Sequence, residues 1–173
     1  MKFLHFVLFV VLIISASSDL TNASPSRLIS HNKAINLDYE LIELDGFNND
    51  QTYKLGSLDG LVIINFWSSW CNPCIKEIVE LNKFQKRIDE ERLDVKIIGI
   101  NIFDDIKDAS RFKIKYKPTF QTLFDKHKTI PIDFGVVGVP ETYFVKNNTI
   151  FFKYIGKITE EVLDQGYKRT KNE

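Results

Sequence analysis

The segment Leu61-Val62-Ile63-Ile64-Asn65-Phe66-Trp67 is almost uninterrupted in its apolar character and rich in β-branched and aromatic residues. Such a run reads as a strand buried on both faces, which requires layers of structure above and below it. From Pro73 onward the pattern changes, and Ile75, Ile78, Val79, Leu81, Phe84 and Ile88 recur at helical spacing with Lys, Glu, Gln and Asp between them. That predicts an amphipathic helix whose first turn holds Pro73 without loss of a needed N–H. A second apolar run, Val95-Lys96-Ile97-Ile98-Gly99-Ile100, completes strand, helix, strand, the pattern of a right-handed parallel crossover.

The rest of the chain extends this α/β reading. Asp104 to Tyr116 predicts another helix. Thr142-Tyr143-Phe144-Val145 and Thr149-Ile150-Phe151-Phe152-Lys153-Tyr154 flank Lys146-Asn147-Asn148 and predict an antiparallel hairpin. A closing helix starts at Thr159, with Glu160 and Glu161 placed where the helix dipole favours acids. Upstream, Tyr39 to Leu44 and Thr52 to Leu58 read as short strands ended by Asp45-Gly46 and Asp59-Gly60. The expected fold is a central mixed β-sheet flanked by helices, with an N-terminal β extension.

At 173 residues, one domain is expected. Hydrophobic residues at 44% and charged residues at 27% are the proportions of a packed soluble domain, not of a disordered chain or a multi-span membrane protein. Lys and Arg number 23, as do Asp and Glu, so no net field draws nucleic acid or anionic lipid, and no nucleic-acid partner is expected.

The first residues stand apart. Met1-Lys2 precedes the apolar run from Phe3 to Ile14, broken only by His5, and Ser15-Ala16-Ser17-Ser18 follows. A positive start, a short apolar centre and small residues are the layout of an export signal. A helix over that run would span roughly 18 Å, short of the roughly 30 Å hydrocarbon core. Residues 1–23 are therefore expected to be an export signal, cut after Ala23 or Ser18, or an N-terminal membrane anchor. Residues 24–34, polar and containing Pro25, read as a linker, and the folded domain is expected over residues 35–173.

Cys71 and Cys74 are the only cysteines, too few for a disulfide scaffold or a four-thiolate zinc site. In Trp70-Cys71-Asn72-Pro73-Cys74 the first falls at the start of the predicted helix and the second one turn inside it. Free N–H groups at a helix start stabilise a thiolate, bringing its pKa from about 8.5 into the range of roughly 3.5 to 7.5. Cys71 is thus the predicted nucleophile and Cys74 the resolving thiol of a redox-active disulfide. A static disulfide closing so short a loop would remove little unfolded-state entropy, and His5, His31 and His127 show no metal-ligand spacing. No metal and no cofactor are expected.

Asn65-Phe66-Trp67-Ser68-Ser69-Trp70-Cys71-Asn72-Pro73-Cys74 resembles the active-site segment of thioredoxin-fold proteins. Gly135-Val136-Val137-Gly138-Val139-Pro140-Glu141-Thr142 is similar to the glycine-rich loop of the TlpA-like thiol:disulfide interchange proteins of cytochrome c maturation, called CcmG or DsbE. The resemblance runs from about residue 38 to 168. It implies a thioredoxin-like fold and a cis Val139–Pro140 bond beside the cysteines. It also implies that the Val139 backbone is offered to an extended substrate. Trp67 and Trp70 match the family's aromatics, and Trp70 would shield the sulfur pair. Glu77 matches an acid that tunes the thiols, although a glutamate there also simply suits the helix dipole. Glu141 matches an acid lining the pocket, with a solvated surface charge as the alternative. Where thioredoxin has a buried acid six residues before its first active-site cysteine this chain has Asn65, so proton handling would fall to Glu77 or Glu141.

The resemblance further implies an exported, periplasmic thiol-disulfide oxidoreductase. It would reduce disulfides of apocytochrome c or of a haem-ligation thiol protein, with electrons from a membrane donor of the DsbD or CcdA type. A general exported oxidoreductase is the nearest alternative. A copper-binding assembly factor on the same fold would need a third ligand near the cysteines, and a thiol peroxidase would consume peroxide.

Overall fold

The computed structural model describes residues 28–45, 51–56 and 60–173. Residues 1–27, with the expected export signal, lie outside the described residues, as do Gly46 and Asp59 of the two expected turns.

The buried run forms β4 (Leu61–Trp67), and every residue of it is buried. It pairs in parallel with β5 (Lys96–Asn101) on one side and antiparallel with β7 (Glu141–Lys146) on the other. The connection from β4 to β5 is α1 (Asn72–Glu91), the expected crossover helix. β5 continues in parallel to β6 (Gln121–Phe124) through α2 (Ile106–Tyr116). β7 turns into β8 (Thr149–Ile155) through Asn147 and Asn148, both at positive φ (48° and 60°), the backbone that a two-residue hairpin turn of matching twist requires. The chain closes with α4 (Glu160–Lys171), capped by the Thr159 hydroxyl.

Side chains along β4 alternate between two cores, as the pleat dictates. Ile63 and Trp67 face one cluster with Cys74, Leu81 and Phe84 of α1, Phe112 of α2 and Leu163 of α4. Val62, Ile64 and Phe66 face the other, with Ile130 and Phe134 of a short helix α3 (Ile130–Phe134) and with Ile35, Leu37 and Leu41 from the N-terminal arm. The arm also supplies β1 (Leu28–Ala34), β2 (Glu40–Glu43) and β3 (Thr52–Lys54), and the described residues form an eight-stranded sheet in the order β1-β8-β7-β4-β5-β6-β2-β3.

One boundary is corrected. Residues 28–34, expected in the linker, form the edge strand β1 (Leu28–Ala34), paired antiparallel with β8 from Leu28↔Tyr154 to Ala34↔Thr149. The composition reads as spacer because most of its side chains are exposed; backbone pairing, not burial, makes it a strand. The register slips between Ser30 and Lys33, where Asn32 takes a positive φ of 44°, as a bulge allows. β6 and α3 were not anticipated either, being only four and five residues long.

α4 approaches the sheet closely because Gly166 lacks a side chain. A Cβ there would lie 2.2 Å from the Phe144 ring. Gly to Ala in an exposed helix gains up to about 1 kcal/mol, whereas overpacking a core costs about 1–3 kcal/mol. Gly166→Ala is therefore expected to destabilise the chain by about 1–2 kcal/mol in urea unfolding, opposite in sign to helix propensity.

Candidate active site

Cys71 occupies the N-cap of α1 in an extended conformation, and its Sγ accepts from the Cys74 N–H at 3.1 Å. The two cysteines are joined as a disulfide, and both are buried. No acid occupies the first turn of α1, so the helix start there is electropositive. The cap forms at this place because β4 ends at Trp67 and α1 must begin where its apolar stripe, Cys74, Ile78, Leu81, Phe84 and Ile88, can reach the sheet.

The turn between β4 and α1 is tied to the loop after β5. The Ile102 N–H donates to Trp67 O at 3.0 Å, and the Ser68 hydroxyl donates to Ile102 O at 2.6 Å. The Ser69 N–H and hydroxyl donate to the two oxygens of Asp104 at 2.5 and 2.9 Å. The Trp70 indole N–H donates to Phe103 O at 3.1 Å. Trp70 itself is 62% exposed and stands out from the surface beside the cysteines, while Trp67 is buried against Phe112 with ring centroids 4.5 Å apart.

Beyond α3, the Val139–Pro140 bond is cis. Val139 packs against both core clusters, the first of which contains Cys71 and Cys74. Glu141 is buried beneath this loop and is not a solvated surface charge. One of its oxygens accepts from the Val137 and Gly138 N–H groups at 2.9 and 3.2 Å, and the other accepts from the Tyr143 hydroxyl at 2.6 Å. Lys153 Nζ lies 3.9 Å away. The carboxylate braces the backbone that carries Val139 and Pro140.

Glu77 is wholly buried one turn below Cys74. Its oxygens accept from Asn65 Nδ2 and from the Ile158 N–H, each at 2.9 Å, and Asn65 also donates to the Thr142 hydroxyl at 3.1 Å. Burial pushes the Glu77 carboxyl up to about 7, against the opposing pull of the Ile158 and Asn65 hydrogen bonds and the Lys157 charge. It is therefore placed to take up or release a proton near neutrality, an acid–base capacity that a surface glutamate would lack. Asn65 sits beside it as an amide donor to its carboxylate.

Asp104 and Asn101 escaped the sequence reading. The available signal was position: polar residues at or just beyond the C-terminal end of a parallel strand lie at the same rim as the helix starts where α/β folds place their sites. Among the described residues no three His, Cys, Asp or Glu side chains gather as a ligand set.

Glu77 makes stability depend on pH. With its pKa raised from 4.5 unfolded to about 7 folded, the folded state binds the extra proton, so stability falls as pH rises through that window. Glu77→Gln is expected to abolish this slope, worth roughly 3 kcal/mol between pH 4.5 and 8, with the Asn65 amide turning to present its oxygen. Urea midpoints at pH 5 and pH 8 for both proteins check it.

The description AhpC/TSA family matches residues 32–159. The chain is 32% identical over 123 residues to the thiol:disulfide interchange protein DsbE of Haemophilus influenzae, covering 70% of this chain and 65% of that relative, slightly under two thirds of its length. It is 30% identical over 141 residues to DsbE of Pseudomonas fluorescens, covering 80% and 72%. Among solved structures, a secreted thiol-disulfide isomerase from Corynebacterium glutamicum superposes with a TM-score of 0.70 at 17% identity, over 87% of this chain and 95% of that one. The chain belongs to the AhpC/TSA family, and the curated relatives it matches include thiol:disulfide interchange proteins, of whose length it spans about two thirds.

Proposed function

We propose that this protein is an exported, periplasmic thiol:disulfide reductant of cytochrome c maturation, tethered or released according to the fate of residues 1–23. Its substrates are disulfides of apocytochrome c or of a haem-ligation thiol protein, and a membrane donor of the DsbD or CcdA type resupplies electrons. The observation that carries the reading is the Cys71–Cys74 pair capping α1, in a chain similar to proteins named DsbE.

In the reduced protein the Cys71 thiolate attacks one sulfur of the partner's disulfide. That bond breaks, a Cys71–partner mixed disulfide forms, and the displaced partner thiolate takes up a proton. Cys74 gives its proton to the Glu77 carboxylate and attacks Cys71 Sγ. The second partner thiolate leaves and takes the proton held by Glu77, the first having taken from water the equivalent of the one Cys71 released on ionising. Two electrons and two protons have passed to the partner, and the Cys71–Cys74 disulfide remains. A dithiol donor then reverses the sequence.

Trp70, Val139, Pro140 and Glu141 hold the substrate in this reading. An extended segment pairs with the Val139 backbone, in the manner of an added strand, and the exposed faces of Trp70 and Val137 supply apolar contact. Glu141 acts from beneath by keeping the Val137–Gly138 backbone in place.

Cys74→Ser removes the resolving sulfur, so mixed disulfides on Cys71 are expected to accumulate in the periplasm. Mass spectrometry of the trapped species is expected to find apocytochrome c or a haem-ligation thiol protein. Capture of unrelated envelope proteins alone would establish a general oxidoreductase instead.

A further inference from the structure

Asp104 uses both carboxylate oxygens, and two of its four contacts lead toward the cysteines through Ser69. Oδ1 accepts from the Ser69 hydroxyl and from the Asp105 N–H, each at 2.9 Å. Oδ2 accepts from the Ser69 N–H at 2.5 Å and from Asn101 Nδ2 at 2.8 Å. Capping of α2 does not explain it, since the N-cap of that helix is Asp105, whose side chain takes the Lys107 N–H. Only Trp70 separates Ser69 from Cys71, and the Cys71 N–H in turn donates to Ser68 O at 3.2 Å. Phe103, between the Ile102 and Asp104 contacts, takes a positive φ of 53°, so the loop after β5 holds a rarely used backbone while gripping the turn before Cys71.

We propose that Asp104 is a positioning residue for thiol–disulfide exchange: through Ser69 it sets the orientation in which Cys71 and Trp70 meet an incoming disulfide. It touches neither sulfur nor substrate. The requirement is for a carboxylate, because an amide at this place would turn its NH2 toward an N–H donor in either orientation. Exchange demands near-linear approach of one sulfur on two others, and a misplacement of about 1 Å at a reacting group can cost about 100-fold. The inference rests on exchange by the Cys71–Cys74 pair and is independent of which protein is the natural substrate.

The test follows the full, reduced chain in single-turnover reduction of a synthetic peptide disulfide, beside the pH profile of Cys71 alkylation by iodoacetamide, a reagent too small to need docking. Asp104→Asn is expected to slow peptide reduction about tenfold or more and Ser69→Ala about threefold, with alkylation at wild-type rate or faster, since removing a negative charge favours the thiolate. Wild-type reduction rates in both variants would overturn the proposal. A matching loss in alkylation would overturn it too, because the thiol itself would then be altered, and so would a loss that vanishes on cooling, which reports unfolding. If Asp104→Asn does not fold, Ser69→Ala decides alone. Should the unmodified chain leave the peptide oxidised, exchange fails as the chemistry and this proposal falls with it.

Discussion

Burial of α1 against a sheet whose strand β4 is covered on both faces determines where the helix can begin, and the chemistry depends on that point. The stripe from Cys74 to Ile88 must lie on the sheet, so the chain leaving β4 at Trp67 has only a short turn in which to reverse. Cys71 becomes the cap of the helix as a result. The Cys74 N–H of the first turn then donates to the buried Cys71 Sγ, where the field of the helix start is weakly screened.

Two buried carboxylates flank this arrangement and are treated differently by their surroundings. Glu141 receives three donors and has Lys153 nearby, and these contacts fasten the cis-proline loop from beneath. Glu77 receives two donors in a dry environment, and desolvation outweighs them, leaving it free to exchange a proton near neutrality. Loops on two sides of the cysteines are thereby held by acids that the solvent does not reach or reaches only in part, with Asp104 completing the set on the α2 side.

Much of the architecture was legible from periodicity. β4, α1, β5, the β7–β8 hairpin and α4 each carry enough residues for their pattern to exceed noise, and Thr159 announces the last helix through its capping hydroxyl. β1, β6 and α3 were not legible, for distinct reasons. β1 is held by backbone pairing at an edge and leaves most of its side chains in water. β6 and α3 are too short to show a period, and each is stabilised by neighbours distant in sequence. In the site, the cysteine pair and its helix start were evident from spacing, whereas the cis bond was expected only through family resemblance.

By itself the amino-acid order determined the crossover and the placing of the cysteine pair at a helix start, because each depends on residues within one or two turns of chain. Tertiary structure alone decided the state of Glu77, the inward turn of Glu141 and the grip of Asp104 on Ser69. Those outcomes depend on desolvation and on hydrogen bonds between residues 12 to 81 positions apart, or on a fold-dependent loop geometry. Local sequence carries no record of which distant donor will face a carboxylate once water has been removed.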